Sequence, residues 1–301
     1  MRVLSALVLV AACGSKQSGS DDGHAHFAPV VVDSHVHLSI LPVGNALLKH
    51  GVGIVFDLAA PERTLGHSTE KLEVRAAGPM LTHPNGYPLD SWGRDGYGIG
   101  CADAACVKTT IDRLVTENVA VIKIAGDDDG LDPALIPVAV EAAHAHQLKV
   151  VIHALSNAGA LVGAKAGCDV LAHTPTEPLS DETIEAWRGR AVITTLAAFG
   201  APAAVDNLRK LRAAGVTILY GTDLGNLQVD GVSKEELQLM REAGLDDSAI
   251  VDAMVTTPYK FWGLDDRSDG DTYLVLRADP RRDANTLLEP LVVYFHGPPV
   301  K

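Results

Sequence analysis

The sequence has too little positive charge to bind nucleic acid. Its 301 residues include 25 Lys and Arg against 38 Asp and Glu, which gives a formal net charge of −13 at pH 7. Contact with a phosphate backbone requires a basic stripe on the protein, and no segment of this sequence forms one. We therefore expect a small-molecule substrate and no nucleic-acid partner.

The N-terminal apolar run is also too short to span a bilayer. The run VLSALVLVAA after Arg2 falls short of the roughly 20 residues that a membrane helix needs, which favours an export signal. Its end, VAAC, resembles the lipobox of bacterial lipoproteins and implies a lipidated Cys13; an ordinary signal peptide cut after a small residue is the alternative. We predict a lipoprotein signal peptide over residues 1–12 and a flexible polar linker over 13–29.

The lipobox resemblance also implies a location. Ser15 is not the Asp that retains such lipoproteins at the inner membrane, so we expect an exported protein on the periplasmic face of the outer membrane. The lipid anchor would be its only membrane contact. The sequence leaves oligomerisation open.

Cysteine is scarce, with four residues in the chain. Cys101 and Cys106 are close together in CADAAC, and an oxidising compartment favours a disulfide between them; two free thiols at a helix start are the alternative. The isolated spacing does not predict a zinc site. Cys168 precedes an apolar run and is predicted to be a buried small hydrophobic residue.

Short apolar runs alternate with alanine-rich amphipathic segments from about residue 30 onward, a pattern that predicts strands and helices in turn. The predicted strands are 30–36, 52–57, 78–82, 119–124, 148–153, 168–172, 190–195 and 216–221, and the clearest helices are 103–117, 132–147, 156–166 and 201–214. Eight βα units of this length predict an α/β protein with a (β/α)8 barrel over residues 30–264. A doubly wound open sheet is the alternative, because periodicity does not show closure. Residues 265–301 contain TYLVLRA and PLVVYFHG, which predict a small C-terminal β segment outside the barrel.

Residues that can bind metal stand at the ends of several predicted strands. A barrel brings the C-terminal ends of its parallel strands to one face, so these side chains should meet in one mouth. Three His-x-His pairs occur, but only His35 and His37 lie at a strand end, where a period of two points both rings to one side. The candidate ligands are His35, His37, Lys123, His153, His173 and Asp223.

Lys123 is flanked by apolar residues in a predicted barrel strand. Burial of an unpaired ammonium lowers its pKa from about 10.4 toward neutrality. A neutral amine can react with carbon dioxide to give a carbamate, which could bridge two cations; an ion pair with an acid such as Asp223 is the alternative. Taken singly, His153 and His173 could each be a structural histidine of the core. Asp223 taken singly could be the N-cap of the next helix. Their joint position at strand ends favours a metal centre.

These segments resemble the amidohydrolase superfamily, specifically its imidazolonepropionase-like and prolidase-like branch with a carboxylated lysine. The resemblance runs from about Val30 to Gly297, through VVVDSHVHL, HGVGIVFDL, AAGPMLTHPNGYP, VAVIKIA, AVEAAHAHQLKVVIHALS, AGCDVLAHT, AAGVTILYGTDLG and LQLMREAGLDDSAIVDAMVTTPYKFWGL. It implies a distorted (β/α)8 TIM barrel. It also implies that His35, His37 and Asp223 hold one metal, that His153 and His173 hold a second, and that carboxylated Lys123 bridges the two.

One departure from the family concerns the β-sandwich that usually flanks the barrel and is made from both termini. Only about 16 residues separate Cys13 from the first predicted strand, so the N-terminal half of the sandwich is expected to be missing. Residues 265–301 would then be the reduced remnant of the C-terminal half.

The implied ligand set predicts hydrolytic chemistry. Two divalent cations can share a hydroxide and lower the pKa of water to about 7. Zinc suits histidine and oxygen ligands best, with manganese, iron and cobalt as alternatives. We expect attack by the bridging hydroxide on an amide or cyclic-amide C–N bond, for example in a dipeptide, with Asp223 as base and then acid. His83, Tyr87 and Arg94 are candidate substrate contacts, although they could equally pack on the surface.

Three other functions are compatible with the sequence. A lactonase or phosphoesterase would use the same centre. A mononuclear deaminase on this barrel needs no Lys123 and usually carries a Glu near the fifth-strand histidine, which HALSN lacks. A catalytically inactive metal-binding lipoprotein would be expected to lose its base, whereas Asp223 is present.

Overall fold

The computed structural model describes residues 24–66, 71–127, 129–264 and 272–294. Cys13, the predicted signal peptide and most of the predicted linker lie outside these residues. Among the described residues, no helix is both long and apolar enough to cross a membrane.

The described residues form thirteen strands and ten α-helices. The strands are β1 (His26–Pro29), β2 (Val31–Val36), β3 (Val52–Asp57), β4 (Glu73–Ala76), β5 (Met80–Thr82), β6 (Gly98–Gly100), β7 (Val121–Ala125), β8 (Lys149–His153), β9 (Val170–Leu171), β10 (Ala191–Ile193), β11 (Thr217–Leu219), β12 (Tyr273–Leu276) and β13 (Val292–Tyr294). The helices are α1 (Gly44–Lys49), α2 (Ala104–Thr116), α3 (Ile136–Ala145), α4 (Asn157–Ala166), α5 (Asp181–Ala186), α6 (Leu196–Phe199), α7 (Pro202–Ala213), α8 (Lys234–Glu242), α9 (Asp247–Val251) and α10 (Thr257–Trp262).

All eight predicted barrel strands are present, as β2, β3, β5, β7, β8, β9, β10 and β11. Residues of β2, β3 and β7 are buried along their whole length, as expected for parallel strands covered on both faces. The short strands β4 and β6 were not predicted. They extend the sheets beside β3 and β5.

Helix boundaries follow local capping. Asp103 caps α2, because its carboxylate accepts a hydrogen bond from the Cys106 amide at 2.8 Å. Ser156 caps α4 in the same way, because its hydroxyl accepts a hydrogen bond from the Gly159 amide at 2.9 Å. The helix predicted from residue 132 begins only at Ile136, because the Asp132 carboxylate accepts from the Ala134 amide at 2.8 Å and forms a turn instead.

The barrel strands form two parallel sheets. One has the order β11-β10-β9-β8-β7-β5-β6 and the other β2-β3-β4. Only residues 77–79 separate β4 from β5, so one chain segment passes from the second sheet to the first. At the opposite edges of the two sheets, β2 meets the segment that follows β11. Ser34 N donates to Tyr220 O at 2.9 Å, and Asp223 N donates to His35 O at 2.8 Å. No continuous ladder closes the barrel among the described residues, and the fold is α/β and TIM-barrel-like.

The terminal strands form a separate antiparallel sheet of order β1-β12-β13. The C-terminal segment thus contains the two predicted strands. His26–Pro29, which we predicted to be linker, instead forms β1 and pairs Ala28 with Leu274. The N-terminal segment therefore contributes one strand to this sheet, whereas the sequence predicted none, because a four-residue segment suffices to pair with β12.

The cysteines occupy two environments. Cys101 and Cys106 form a disulfide with their Cα atoms 5.4 Å apart, between β6 and the first turn of α2. Cys168 is a free thiol in the core, and its burial raises the pKa to about 12. A thiol with so high a pKa stays protonated and unreactive at neutral pH.

Candidate metal centre

The strand ends bring all six predicted ligands to one cavity of about 630 Å³. Each of the six side chains is buried. The strands run in parallel, which places their C-terminal ends, and the residues just beyond them, on the same side of the sheet. The ligand candidates that line this cavity are His35, His37, Lys123, His153, His173 and Asp223.

His35, His37 and Asp223 form the tightest group. One ligand atom from each lies within 4.8 Å of the others, and Asp223 Oδ1 is 3.4 Å from His35 Nε2 and 3.1 Å from His37 Nε2. Metal–ligand bonds of 2.0–2.1 Å in a tetrahedral site place ligand atoms about 3.3 Å apart. Neither His35 Nε2 nor Asp223 Oδ1 has a hydrogen-bond partner, although both atoms are buried. Such atoms are costly unless a cation satisfies them, so these residues fit a metal ion.

Ala172 and Asp33 hold His35 and the residue before Asp223 in place. The Ala172 carbonyl accepts a hydrogen bond from His35 Nδ1 at 2.9 Å, which leaves the lone pair on Nε2. Asp33 accepts from the His35 amide at 3.1 Å and from the Thr222 amide and hydroxyl at 3.0 and 2.6 Å. Asp33 therefore ties β2 to the residue before Asp223. Burial raises the pKa of Asp33 to about 7, and the Thr222 hydroxyl opposes that rise.

The turn before Asp223 depends on a glycine. A Cβ atom at Gly221 would lie 2.4 Å from Ile193 Cγ2 and 3.1 Å from the His35 amide nitrogen. Asp223 itself has a positive φ of 57°. The glycine therefore allows the close backbone approach that brings Asp223 against His35 and His37.

His153 and His173 lie beside this group. Their ring centroids are 4.9 Å apart, and the His173 ring is 4.5 Å from that of His35. Burial lowers the pKa of His153 to about 3 and that of His173 well below its ordinary value. Both imidazoles are therefore neutral at physiological pH, which is the form that binds metal.

Lys123 is the central residue of β7 and is fully buried, with 0% exposure. Its Nζ has no hydrogen-bond partner, and among the described residues it forms no ion pair. Burial lowers the pKa of Lys123 to about 7, while the charge of Asp223 opposes the shift. At neutral pH, Lys123 is therefore a neutral amine in a large share of the protein molecules. Carbamate formation requires this neutral form.

The cavity walls are aromatic and acidic. Tyr87, Trp92 and Phe199 line it, and their rings lie against His153, His37 and His173 with centroid distances of 4.7, 5.4 and 4.9 Å. Asp127 and Asp129 also line the cavity. Asp127 is held by the amides of residues 155 and 156 at 2.7 and 3.2 Å.

Of the three predicted substrate contacts, only Tyr87 is among the described residues that line the cavity. His83 instead accepts a hydrogen bond from the Asn85 amide at 3.3 Å, and Arg94 donates to the carbonyls of Leu89 and Asp90 at 3.1 and 3.2 Å. These two side chains therefore stabilise their own loop. Sequence reasoning missed Asp127 and Phe199, although each closely follows a predicted strand, as the ligand candidates do.

Solved structures similar to this one include an amidohydrolase, a Xaa-Pro dipeptidase and an ochratoxinase. An amidohydrolase matches with a TM-score of 0.77 and 18% sequence identity, over 95% of this chain and 90% of that chain. A Xaa-Pro dipeptidase with bound methionine matches with a TM-score of 0.75 and 17% identity, over 93% of this chain and 91% of that chain. Ochratoxinase from A. niger matches with a TM-score of 0.74 and 18% identity, over 91% and 83%. No family model and no curated protein sequence matches the chain.

These structures confirm the predicted fold class. The chain has the α/β, TIM-barrel-like fold of the amidohydrolases. At identities of 17–18%, the similarity establishes the fold and not a shared substrate.

Proposed function

We propose that this protein is a metal-dependent hydrolase of the amidohydrolase superfamily, related to its prolidase-like branch, that cleaves an amide or cyclic-amide C–N bond. The observation that carries the proposal is the convergence of His35, His37 and Asp223, with buried ligand atoms that lack partners. The structural likeness to an amidohydrolase and a Xaa-Pro dipeptidase supports it.

The residues fit two divalent ions, for which zinc is the favoured metal. His35, His37 and Asp223 would hold one ion and His153 and His173 the other, with a carboxylated Lys123 between them. When bound, the ions would lower the pKa of a water molecule and polarise the carbonyl of the substrate.

Asp223 would move the proton during the reaction. Its carboxylate is buried at the cavity and lies within 3.4 Å of both His35 Nε2 and His37 Nε2. In this position the carboxylate can accept a proton from the attacking water, as a general base. It can then donate that proton to the leaving nitrogen, as a general acid.

The cavity suits a small substrate. Its volume of about 630 Å³ lies within the usual range of about 300–1,000 Å³ for small-molecule sites. Tyr87, Trp92 and Phe199 provide an apolar wall for the group next to the scissile bond, and a dipeptide or a cyclic amide fits these dimensions. A lactone would use the same ligands, so the substrate class requires a direct assay.

We predict two equivalents of metal per chain. Elemental analysis of protein purified without chelator should give a value close to two, because two ligand groups meet at the cavity. His35→Gln should lose metal, whereas the control His144→Gln should not, since His144 is exposed and pairs with Asp169 outside the cavity. One equivalent with unmodified Lys123 would favour a mononuclear enzyme, and absence of metal would contradict the proposal.

Activity should be measured on metal-loaded protein with matched dipeptides, cyclic amides and lactones. We expect the highest kcat/KM on a C–N bond. A higher kcat/KM on the lactones would identify a lactonase instead, and no turnover of any substrate by protein that holds both metals would support an inactive metal-binding protein.

We also propose that Cys13 carries a lipid that anchors the protein at the periplasmic face of the outer membrane. The lipobox-like VAAC supports this proposal. The wild-type protein should partition into the detergent phase, and Cys13→Ser should release it or leave it unprocessed, whereas the control Cys168→Ser should not. A soluble mature protein that begins at Cys13 without lipid would contradict the anchor.

A further inference from the structure

Glu236 is a buried acid outside the metal centre. It lies on α8 with 0% exposure, and its two carboxylate oxygens accept hydrogen bonds from the backbone amides of Leu196 and Ala197 at 2.9 and 2.8 Å. The Thr194 side chain also contacts it by a hydrogen bond. Glu236 therefore holds the chain segment that leaves β10, at a point 40 residues away in sequence.

The segment held by Glu236 contains a strained residue. Thr195 has a φ of 43°, in the left-handed region that β-branched residues rarely occupy. Such a conformation costs free energy and persists only where its surroundings impose it. The bonds from Glu236 to the next two amides supply that restraint.

Thr195 contacts a candidate metal ligand directly. Its Oγ1 lies 3.0 Å from His173 Nδ1. When Nδ1 donates this hydrogen bond, the lone pair stays on Nε2, which is the nitrogen free to bind a metal. The same segment ends at Phe199, whose ring is 4.9 Å from that of His173 and lines the cavity.

We propose that Glu236 is a positioning residue, which orients His173 for metal binding through Thr195 and holds Phe199 in the cavity wall. The order of contacts is Glu236 to the amides of residues 196 and 197, then Thr195 Oγ1, then His173 Nδ1. The inference rests on the proposed function, in which His173 and His153 hold the second metal. Residues 194–197 approach the first site through Gly221, whose carbonyl accepts a hydrogen bond from the Thr195 amide at 3.1 Å, so the effect should be larger at the second site than at the first.

The test is zinc titration of metal-free protein by calorimetry, with the thermal midpoint recorded for each variant. Glu236→Ala should weaken the second zinc equivalent by about 10-fold or more, the scale found for residues that orient metal-binding histidines, and leave the first nearly unchanged. Glu236→Gln keeps one acceptor oxygen and should give an intermediate loss. The control is Glu235→Ala, which removes an exposed carboxylate from the same helix and should change neither equivalent.

A second variant covers the case in which Glu236→Ala does not fold. Thr195→Val removes only the hydroxyl and keeps the β-branched shape, so it should weaken the second equivalent alone. NMR of the imidazole nitrogens in the metal-free protein gives an independent reading. His173 should be the Nδ1-protonated tautomer in the wild type and a mixture of the two neutral tautomers in Thr195→Val.

The outcomes separate this inference from the proposed function. A wild-type protein that binds no second zinc would refute the binuclear centre, and the tautomer measurement would still decide whether Thr195 orients His173. Two unchanged equivalents in folded Glu236→Ala, equal weakening of both equivalents, or an unchanged tautomer in Thr195→Val would each overturn the positioning role.

Discussion

Asp223→Asn is expected to lower kcat by about 10²-fold or more while the protein keeps most of its metal. Asparagine has nearly the size of aspartate and retains an oxygen that can face His35 and His37. It cannot accept and return a proton, however, so the variant should lose the shuttle and keep the ligand. The comparison requires kcat and metal content measured on the same preparations.

The pH profile of this variant provides a second reading. In the wild type, kcat/KM should fall on the acid side with an apparent pKa that belongs to the coupled site, because the carboxylate must be ionised to accept the proton. The asparagine variant should lose or displace that limb. Asn226→Ala serves as a control. The side-chain amide of Asn226 donates a hydrogen bond to Asp223 Oδ2 at 3.2 Å, but it is not a proton acceptor. Near-native turnover in Asp223→Asn, or a rate loss in proportion to lost metal, would refute the shuttle, and the base would then be sought at Asp127.

Lys123→Ala is expected to abolish activity. The alanine removes the amine whose carbamate is proposed to bridge the two metals, and it leaves space beside His153 and His173. Short carboxylic acids such as acetate or propionate should restore part of the activity if they occupy that space and bridge the ions. The measurement is kcat with and without added acid, together with metal content.

The matched control for Lys123→Ala is Lys165→Ala. Lys165 is exposed and pairs with Glu182 at 2.7 Å on the surface, so its loss should leave activity and metal content unchanged. Mass analysis under native conditions should detect a carbon dioxide adduct at Lys123 in the wild type. Full activity in Lys123→Ala would remove the bridging role and favour a mononuclear centre.

The strands of the two parallel sheets could be predicted from the sequence because they are locally distinct. Each is a short apolar run rich in Val, Ile and Leu, and the amphipathic segments between the runs have a helical period. β7 was predicted at 119–124 and is found at Val121–Ala125. β1 was not predicted, because four residues that end in proline carry too weak a local signal, and the strand forms through its pairing with β12.

The candidate ligands could be predicted for a similar reason. His35, Lys123 and His153 belong to predicted strands, and parallel strands present their ends on one face. Loop residues carry no such signal. Tyr87 reaches the cavity whereas His83 and Arg94 bond within their loop, a difference that depends on the docking of residues 83–94 against the barrel.

The sequence by itself therefore determined the order of strands and helices, the acidic character of the chain and the chemical types of the candidate ligands, because each is written in local periodicity and residue type. Only the tertiary structure decided how those ligands are held. Asp33 bonds to Thr222 across 189 residues, and Glu236 bonds to Leu196 across 40. Such contacts join residues that neither the hydrophobic periodicity nor a sequence motif connects. The lowered pKa of Lys123 likewise depends on the tertiary structure, because it follows from burial by the surrounding strands and helices.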